Sequence, residues 1–260
     1  MFLRKLFLSI VLSFVFVAPA RAALNLDHLS DVDIQHVKDL IVKLDPLIKE
    51  RDRKQDLSKL TFEELYAPLG QEDREFFQQF EHLDAQELGV KIPYRGIATG
   101  KEDLVIITGQ MIMNREKKKI EELAPQFLPP NVYAAYQKMM DAMQQDIGKR
   151  LYVESGYRSS AYQMYLFVYY LQNHAYSIRE TVKYVALPGY SEHGAPKFQA
   201  IDFINVDGIN GDGKPEEFEA LPENDWLLQN SEKFGFILSY PKKAPVGITY
   251  EPWHWRYEGK

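Results

Sequence analysis

The sequence predicts an α+β fold, in which a mainly helical N-terminal region precedes a small antiparallel sheet with flanking helices. Two observations support this class. Apolar residues in the first half recur mostly at helical spacing. The second half alternates helical stripes with short strand-like runs that do not follow the regular βαβ order of a parallel sheet. With 260 residues, 45% of them apolar, the chain is long enough to bury a sizeable core.

The N-terminus has the pattern of an export signal. Arg4 and Lys5 precede an apolar run from Leu6 to Val17, and Ala20-Arg21-Ala22 has the small-x-small form of a cleavage site. The run is too short to cross a bilayer, since a spanning helix takes about 20 apolar residues. We therefore expect a signal peptide over residues 1–22, cleaved after Ala22, and a periplasmic or secreted protein without a membrane anchor. A retained anchor is the alternative.

Charge and cysteine content narrow the class of partner. Removal of residues 1–22 leaves 28 basic and 37 acidic residues, a net charge of −9. A surface this acidic argues against nucleic acid as a partner, because phosphate binding needs basic residues. The chain has no Cys, so any zinc site must use His, Asp or Glu, which favours a catalytic site over a structural one.

Residues 23–124 carry helix signals and one strand signal. Ser30 followed by Asp33 predicts a helix start, and Pro46 is expected to end or bend that helix. Thr61 and Glu64 form a capping box. The β-branched run at residues 104–108 predicts a strand. No motif indicates a role for this region, and a docking domain, a lid over a cleft and structural support all remain open.

A second domain is expected over residues 125–260, after a boundary near Pro125 to Pro130. A stripe from Tyr133 to Ile147 predicts a helix that Gly148 ends. The further elements are expected in this order: strand 150–154, helix 159–174, strand 199–206, helix 221–234, strands 236–240 and 253–257.

Two segments near the C-terminal end offer chemistry. Ser191-Glu192-His193 runs on to Asp202 in a predicted strand, and Glu251-Pro252-Trp253-His254 follows later. Two imidazoles, a carboxylate and a further carboxylate are the minimum set for a catalytic zinc with a base beside it. Pro252 favours an irregular bend that lets both flanking side chains face one site. Each signal alone is weak, because a single His is usually a surface or core residue.

The combination of five motifs in order is more specific. It resembles the VanY-type zinc D-alanyl-D-alanine carboxypeptidases of the LAS group of peptidoglycan metallopeptidases over residues 131–259. The motifs are Gly156-Tyr157-Arg158-Ser159 with Gln163, Pro188-Gly189-Tyr190-Ser191-Glu192-His193, Ala200-Ile201-Asp202, Phe234-Gly235-Phe236-Ile237, and Tyr250-Glu251-Pro252-Trp253-His254-Trp255-Arg256-Tyr257.

This resemblance implies a role for each site residue. The zinc ligands would be His193, Asp202 and His254. Glu251 would act as general base and then as general acid. Arg158 would contact the substrate and stabilise the developing oxyanion, although an arginine in a loop also commonly forms a structural salt bridge. The residues that would line the substrate pocket are Ser191 and Gln163.

One departure from the family pattern lies between two of the ligands. The family usually has Ser-x-His-x-x-Gly-x-Ala-x-Asp, whereas Asp202 follows His193 by nine positions and Phe198 stands at the usual Gly position. Residues 194–197 indicate an enlarged turn. Loop insertions cost little when their ends stay fixed, so we expect the zinc site to form with an altered pocket rim.

The resemblance implies an exported zinc carboxypeptidase that removes the terminal D-Ala of peptidoglycan stem peptides. An L,D-carboxypeptidase or an endopeptidase with the same zinc site is the alternative within the enzyme class. A non-catalytic periplasmic protein that binds the cell wall is the alternative from another class. The presence of all three ligands and of Glu251 argues against the last.

Overall fold

The structure, a computed structural model, describes residues 23–243 and 249–259. The expected signal peptide lies outside these residues. In the described ranges no helix is both long enough and apolar enough to cross a membrane. The helices are α1 (Asp31–Arg53), α2 (Phe62–Tyr66), α3 (Gln71–Glu81), α4 (Pro130–Ile147), α5 (Ser160–Tyr170), α6 (Ile178–Thr181), α7 (Pro215–Glu219) and α8 (Pro222–Asn230).

The N-terminal helices begin where the sequence predicts. The Ser30 hydroxyl accepts a hydrogen bond from the Asp33 amide at 3.2 Å and caps α1. Thr61 and Glu64 form the expected capping box of α2. However, α1 does not end at Pro46, which lies inside it. An internal proline costs about 3 kcal/mol, and the apolar residues on both sides of Pro46 pack into one core and offset that cost.

Two antiparallel ribbons link the N-terminal helices to the rest of the chain. β1 (Val105–Ile107) lies within the predicted strand and pairs with β4 (Gln126–Leu128), while β2 (Met111–Asn114) pairs with β3 (Lys119–Glu122). The first ribbon thus joins strands from the two sides of the expected boundary at residue 125.

A four-stranded sheet lies at the centre of the second half. Its strands are β5 (Tyr152–Ser155), β6 (Ala200–Ile204), β7 (Phe236–Leu238) and β8 (His254–Tyr257), in the order β5-β6-β8-β7. All neighbours are antiparallel. Together with the flanking helices, this sheet confirms the predicted α+β class.

Helices cover the sheet through one apolar cluster. Tyr136 and Met140 of α4 pack with Val153, Phe203 and Trp255 of the strands. Gly148 ends α4 in the left-handed conformation at φ 68°, as its position predicts. The helix expected over residues 221–234 ends earlier as α8, and a 3₁₀ turn, Ser231–Phe234, completes the segment.

A second apolar cluster unites the two halves of the chain. Phe76 and Phe80 of α3 share it with Met164 and Phe167 of α5. All four side chains are at most 1% exposed. The N-terminal helices therefore pack directly on the helix that follows the Arg158 loop. The division of the chain at residues 124 and 125 stays a prediction.

Candidate metal centre

The three expected metal ligands lie together. Asp202 in β6 and His254 at the start of β8 are register partners, so their side chains share one face of the sheet. His193 approaches from a 3₁₀ turn, Glu192–Gly194. One ligand atom from each of the three residues lies within 4.8 Å of the others.

Each imidazole has one nitrogen held by the protein and the other directed at Asp202. His193 Nδ1 lies 2.8 Å from the Gly156 carbonyl oxygen, and its Nε2 lies 3.1 Å from Asp202 Oδ2. His254 Nε2 lies 3.1 Å from Glu192 Oε2, and its Nδ1 lies 2.8 Å from Asp202 Oδ1. Metal-binding histidines are typically oriented in this way, through a hydrogen bond from the nitrogen that does not bind the metal.

Burial and mutual attraction set the charge of this cluster. Burial opposes ionisation of Asp202, but the two imidazoles hold its pKa well below the usual range. Burial lowers the pKa of His193. It opposes the charge of His254 as well, but Asp202 outweighs that effect and raises the His254 pKa to about 10. Two buried imidazoles and a partly buried carboxylate, which converge on one point, fit a zinc ion that keeps one position open.

Glu251 lies beside the cluster in the turn before β8. Its amide donates to the Tyr240 carbonyl, and its own carbonyl accepts from the His254 amide, both at 3.1 Å. This turn contains Pro252, as the sequence predicts, and places Glu251 Oε2 3.8 Å from His254 Nδ1. Burial, reinforced by Asp202, raises the pKa of Glu251 to about 7 despite the opposing His254. A carboxylate with such a pKa is suited to accept and return a proton near neutral pH.

Arg158 is held at the edge of the same site. Its amide donates to the His193 carbonyl at 3.0 Å. Its guanidinium donates to Gln163 Oε1 at 3.0 Å and to Ser155 Oγ at 3.2 Å. Gln163 is 2% exposed and also donates to the Ala186 carbonyl, so it orients the arginine. Among the described residues Arg158 has no carboxylate within ion-pair distance. The substrate contacts expected of Arg158, Gln163 and Ser191 stay predictions.

A groove of about 970 Å³ joins these groups. Arg158, Ser191, the three ligands and Glu251 line one part of it. Its other walls come from residues 88–92 and from Tyr162, Tyr170 and Tyr184. A groove of this size and lining can hold an extended ligand.

The enlarged turn before Asp202 leaves the ligands together. The Phe198 amide donates to the Ala195 carbonyl at 2.8 Å and closes the turn. β6 then begins at Ala200, so Asp202 keeps its register opposite His254. The two additional positions are therefore absorbed outside the sheet.

Sequence reasoning missed the groups that support the candidate ligands. Glu192 is almost completely buried and contacts Arg95, Arg256 and His254. The Tyr240 ring lies 4.7 Å from the His254 ring, centroid to centroid. Strand alternation could have placed Arg256 on the same face as His254. No local signal indicates Arg95 or Tyr240, because both contacts depend on the tertiary fold.

Comparison with known proteins gives a family for this chain. The model of the family VanY, D-alanyl-D-alanine carboxypeptidase, matches residues 125–260. The bifunctional D-Ala-D-Ala dipeptidase and D-Ala-D-Ala carboxypeptidase VanXYC of Enterococcus gallinarum is 33% identical over 135 residues, which are 51% of this chain and 68% of the relative. A D-alanyl-D-alanine carboxypeptidase of Enterococcus faecalis is 36% identical over 132 residues, 47% of this chain and 45% of that protein.

Two solved structures resemble part of this chain. The LdcB LD-carboxypeptidase has a TM-score of 0.48 and 26% identity, with 70% of this chain and 79% of that chain covered. A complex of the vancomycin resistance D,D-pentapeptidase VanY with Zn(II) has a TM-score of 0.41 and 26% identity, with 65% and 86% covered. The family match spans more than half of this chain and contains all three convergent ligands and Glu251. The chain therefore belongs to the VanY family of D-alanyl-D-alanine carboxypeptidases.

Proposed function

We propose that this protein is a zinc-dependent D-alanyl-D-alanine carboxypeptidase that releases the terminal D-Ala of peptidoglycan stem peptides. The observation that carries the proposal is the convergence of His193, Asp202 and His254, with Glu251 beside them, in a member of this family. The D-Ala-D-Ala specificity is that of the similar Enterococcus enzymes.

Three residues would hold the zinc. His193 would bind through Nε2 and His254 through Nδ1, because their other nitrogens contact Gly156 and Glu192. Asp202 would bind through its carboxylate. When bound, zinc acts as a Lewis acid that polarises a carbonyl and lowers the pKa of a water molecule.

The remaining chemistry belongs to side chains around the cluster. Glu251 takes the proton of the attacking water and then delivers it to the nitrogen of the leaving D-Ala. Its raised pKa, about 7, suits both transfers. Arg158 supplies a fixed positive charge for the oxyanion or for the substrate carboxylate, since Gln163 and Ser155 hold its guanidinium.

Release of D-Ala from a muramyl pentapeptide tests the proposal. The purified protein is assayed with and without zinc, and zinc content is measured for each variant. Glu251→Gln is expected to lower kcat by about 10²–10⁴-fold, the range for a lost acid-base group, and to keep one zinc per chain. Glu63→Gln is the matched control, because that side chain is 84% exposed and lies on α2.

Assays with other peptidoglycan peptides distinguish the alternative activities. Release from a tetrapeptide but not from a pentapeptide would indicate an L,D-carboxypeptidase, and cleavage of cross-linked dimers an endopeptidase. Zinc binding without release from any of these would indicate a non-catalytic cell-wall-binding protein. A wild-type protein that binds no zinc would contradict the metal assignment.

We extend the proposal to location: export, with cleavage after Ala22, to the periplasm or the medium. The basic and apolar pattern of residues 1–22 supports it. N-terminal sequencing of the protein from a fractionated culture tests it, and a cytoplasmic protein that keeps residues 1–22 would refute it.

A further inference from the structure

Residues 94–102, hereafter the brace, lie before the family-matched region and cross the loops of the candidate site. Ala98 exchanges two hydrogen bonds with Ser160 at the start of α5. The Ala98 amide donates to Ser160 Oγ at 2.9 Å, and the Ala98 carbonyl accepts from the Ser160 amide at 2.8 Å. The Gly100 amide donates to the Tyr157 hydroxyl at 3.0 Å. The brace is thus fixed to both sides of Arg158.

The brace also holds the loop that leads to His193. The amides of Arg95 and Gly96 both donate to the Gly189 carbonyl, at 2.7 and 3.2 Å. Gly189 has φ 82°, and a Cβ there would lie 2.4 Å from the Tyr94 ring. This close packing requires glycine at position 189. It fixes the loop two residues before Ser191.

The Arg95 side chain continues this contact to a metal ligand. Its Nη2 donates to Glu192 Oε1 at 2.8 Å. The other oxygen of that carboxylate, Oε2, lies 3.1 Å from His254 Nε2. The side chains of Arg95, Glu192 and His254 are 14%, 1% and 5% exposed. A charged group of the N-terminal region therefore reaches His254 through a single buried carboxylate.

Glu192 needs this partner because it is a buried charge. Arg256 also contacts Glu192 Oε1, but its guanidinium is shared with the exposed carboxylate of Glu258. A buried carboxylate that loses one of its cationic partners is strongly destabilised. We expect that carboxylate to rotate toward water, which alters its contact with His254 Nε2.

The enlarged turn before Asp202 contacts the same arginine. The Arg95 guanidinium lies 5.6 Å from the centroid of the Phe198 ring, a distance at which a cation and an aromatic face attract each other. Phe198 stands where the family has glycine. Arg95 thus interacts both with Glu192, which precedes His193, and with Phe198 in the enlarged turn that follows His193.

We propose that the brace positions the metal-binding loop, with Arg95 as a positioning residue that acts through Glu192 on His254. This inference rests on the proposed zinc site. It gives residues 94–102 a function in the reaction, in addition to their packing.

Zinc affinity, measured by competition with a chelating dye, tests the proposal. Arg95→Ala is expected to weaken zinc binding by about 10-fold, and Glu192→Gln by about 10–100-fold, the range for residues that orient metal ligands. Arg95→Lys keeps a charge near Glu192 and should restore part of the loss. In the double variant Arg95→Ala/Glu192→Gln, the Arg95 substitution should not weaken zinc binding further, because the Glu192 carboxylate through which it acts is already absent.

Arg74→Ala is the matched control for loss of a structural arginine. The Arg74 guanidinium donates to the carbonyls of Tyr66 and Leu69, far in sequence from the ligands. This variant is expected to lower thermal stability while zinc affinity stays within 2-fold of the wild type. Equal zinc affinities for Arg95→Ala and wild type, or additive effects in the double variant, would overturn the positioning role.

Hydrogen exchange of the metal-free protein gives a readout that does not depend on zinc. Arg95→Ala should speed exchange in a peptide that covers residues 189–195, and Arg74→Ala should leave it unchanged. Failure of the wild type to bind zinc would refute the proposed function. Unchanged exchange in this peptide for Arg95→Ala would refute the positioning role of the brace, whether or not the zinc affinity changes.

Discussion

Replacement of Phe80 by alanine tests whether the N-terminal helices and the candidate site belong to one folding unit. Phe80 on α3 is 1% exposed, and its ring lies 5.6 Å from Phe76 and 6.4 Å from Phe167 of α5. Truncation of a buried Phe typically costs about 3–5 kcal/mol. Because the contact joins α3 to α5, we expect that loss to destabilise both regions together.

The expected shift is large enough to measure in either region. A loss of about 4 kcal/mol corresponds to a fall of about 8–16 °C in the thermal midpoint for a chain of this size. All three tryptophans, Trp226, Trp253 and Trp255, lie within the family-matched region. Tryptophan fluorescence therefore reports on that region, whereas far-ultraviolet circular dichroism reports on the whole fold.

If the two regions unfold as one cooperative unit, Phe80→Ala should lower the thermal midpoint equally by fluorescence and by circular dichroism. The matched control is Val42→Ala on α1, a side chain that is 71% exposed, with an expected effect within about 0.5 kcal/mol. If Phe80→Ala splits the dichroism transition and leaves the fluorescence midpoint at its wild-type value, the two regions fold separately. The reasoning from their shared core would then be wrong.

Two further predictions concern the stability of the fold, one from the buried Asp73 and one from the candidate metal site. Lys43 and His36 contact the buried Asp73, and their hydrogen bonds outweigh burial and lower its pKa below the ordinary value of 3.8. The stability that Asp73 contributes is therefore complete above pH 3.8 and is lost as pH falls through the lower folded-state pKa. Urea unfolding measures the free energy of unfolding of the wild type and of Asp73→Asn. The difference between the two free energies should narrow below pH 3.8, and a difference that does not change with pH would contradict this assignment. Zinc at 100 times its dissociation constant should raise the free energy of unfolding by about 2.7 kcal/mol, and a chelator should remove this increase. Scanning calorimetry should show this for the wild type but not for Asp202→Ala.

Local hydrogen bonds explain which elements could be predicted from the sequence. The caps at Ser30 and Thr61 and the stop at Gly148 each depend on groups three or four residues away. Pro46 is different, because the continuation of α1 past it depends on packing against distant helices. A local pattern cannot contain that information.

The same distinction separates the candidate metal ligands from the groups that support them. His193, Asp202, Glu251 and His254 could be named because their residue types and order match a family pattern. The Arg95–Glu192 contact joins residues 97 positions apart and has no such pattern. Only the fold brings that arginine to the carboxylate.

Strand register explains why the site tolerates the enlarged turn. Two candidate ligands, Asp202 and His254, are paired across β6 and β8, so their separation is fixed by the sheet and is independent of the loop before β6. The additional residues change the path from His193 to Ala200, and the turn closed by Phe198 absorbs them. A one-residue slip within β6 would instead turn Asp202 to the opposite face of the sheet. The ligand cluster is therefore sensitive to the register of two short strands, and variation in the family's motif spacing is expected in the turn that precedes them.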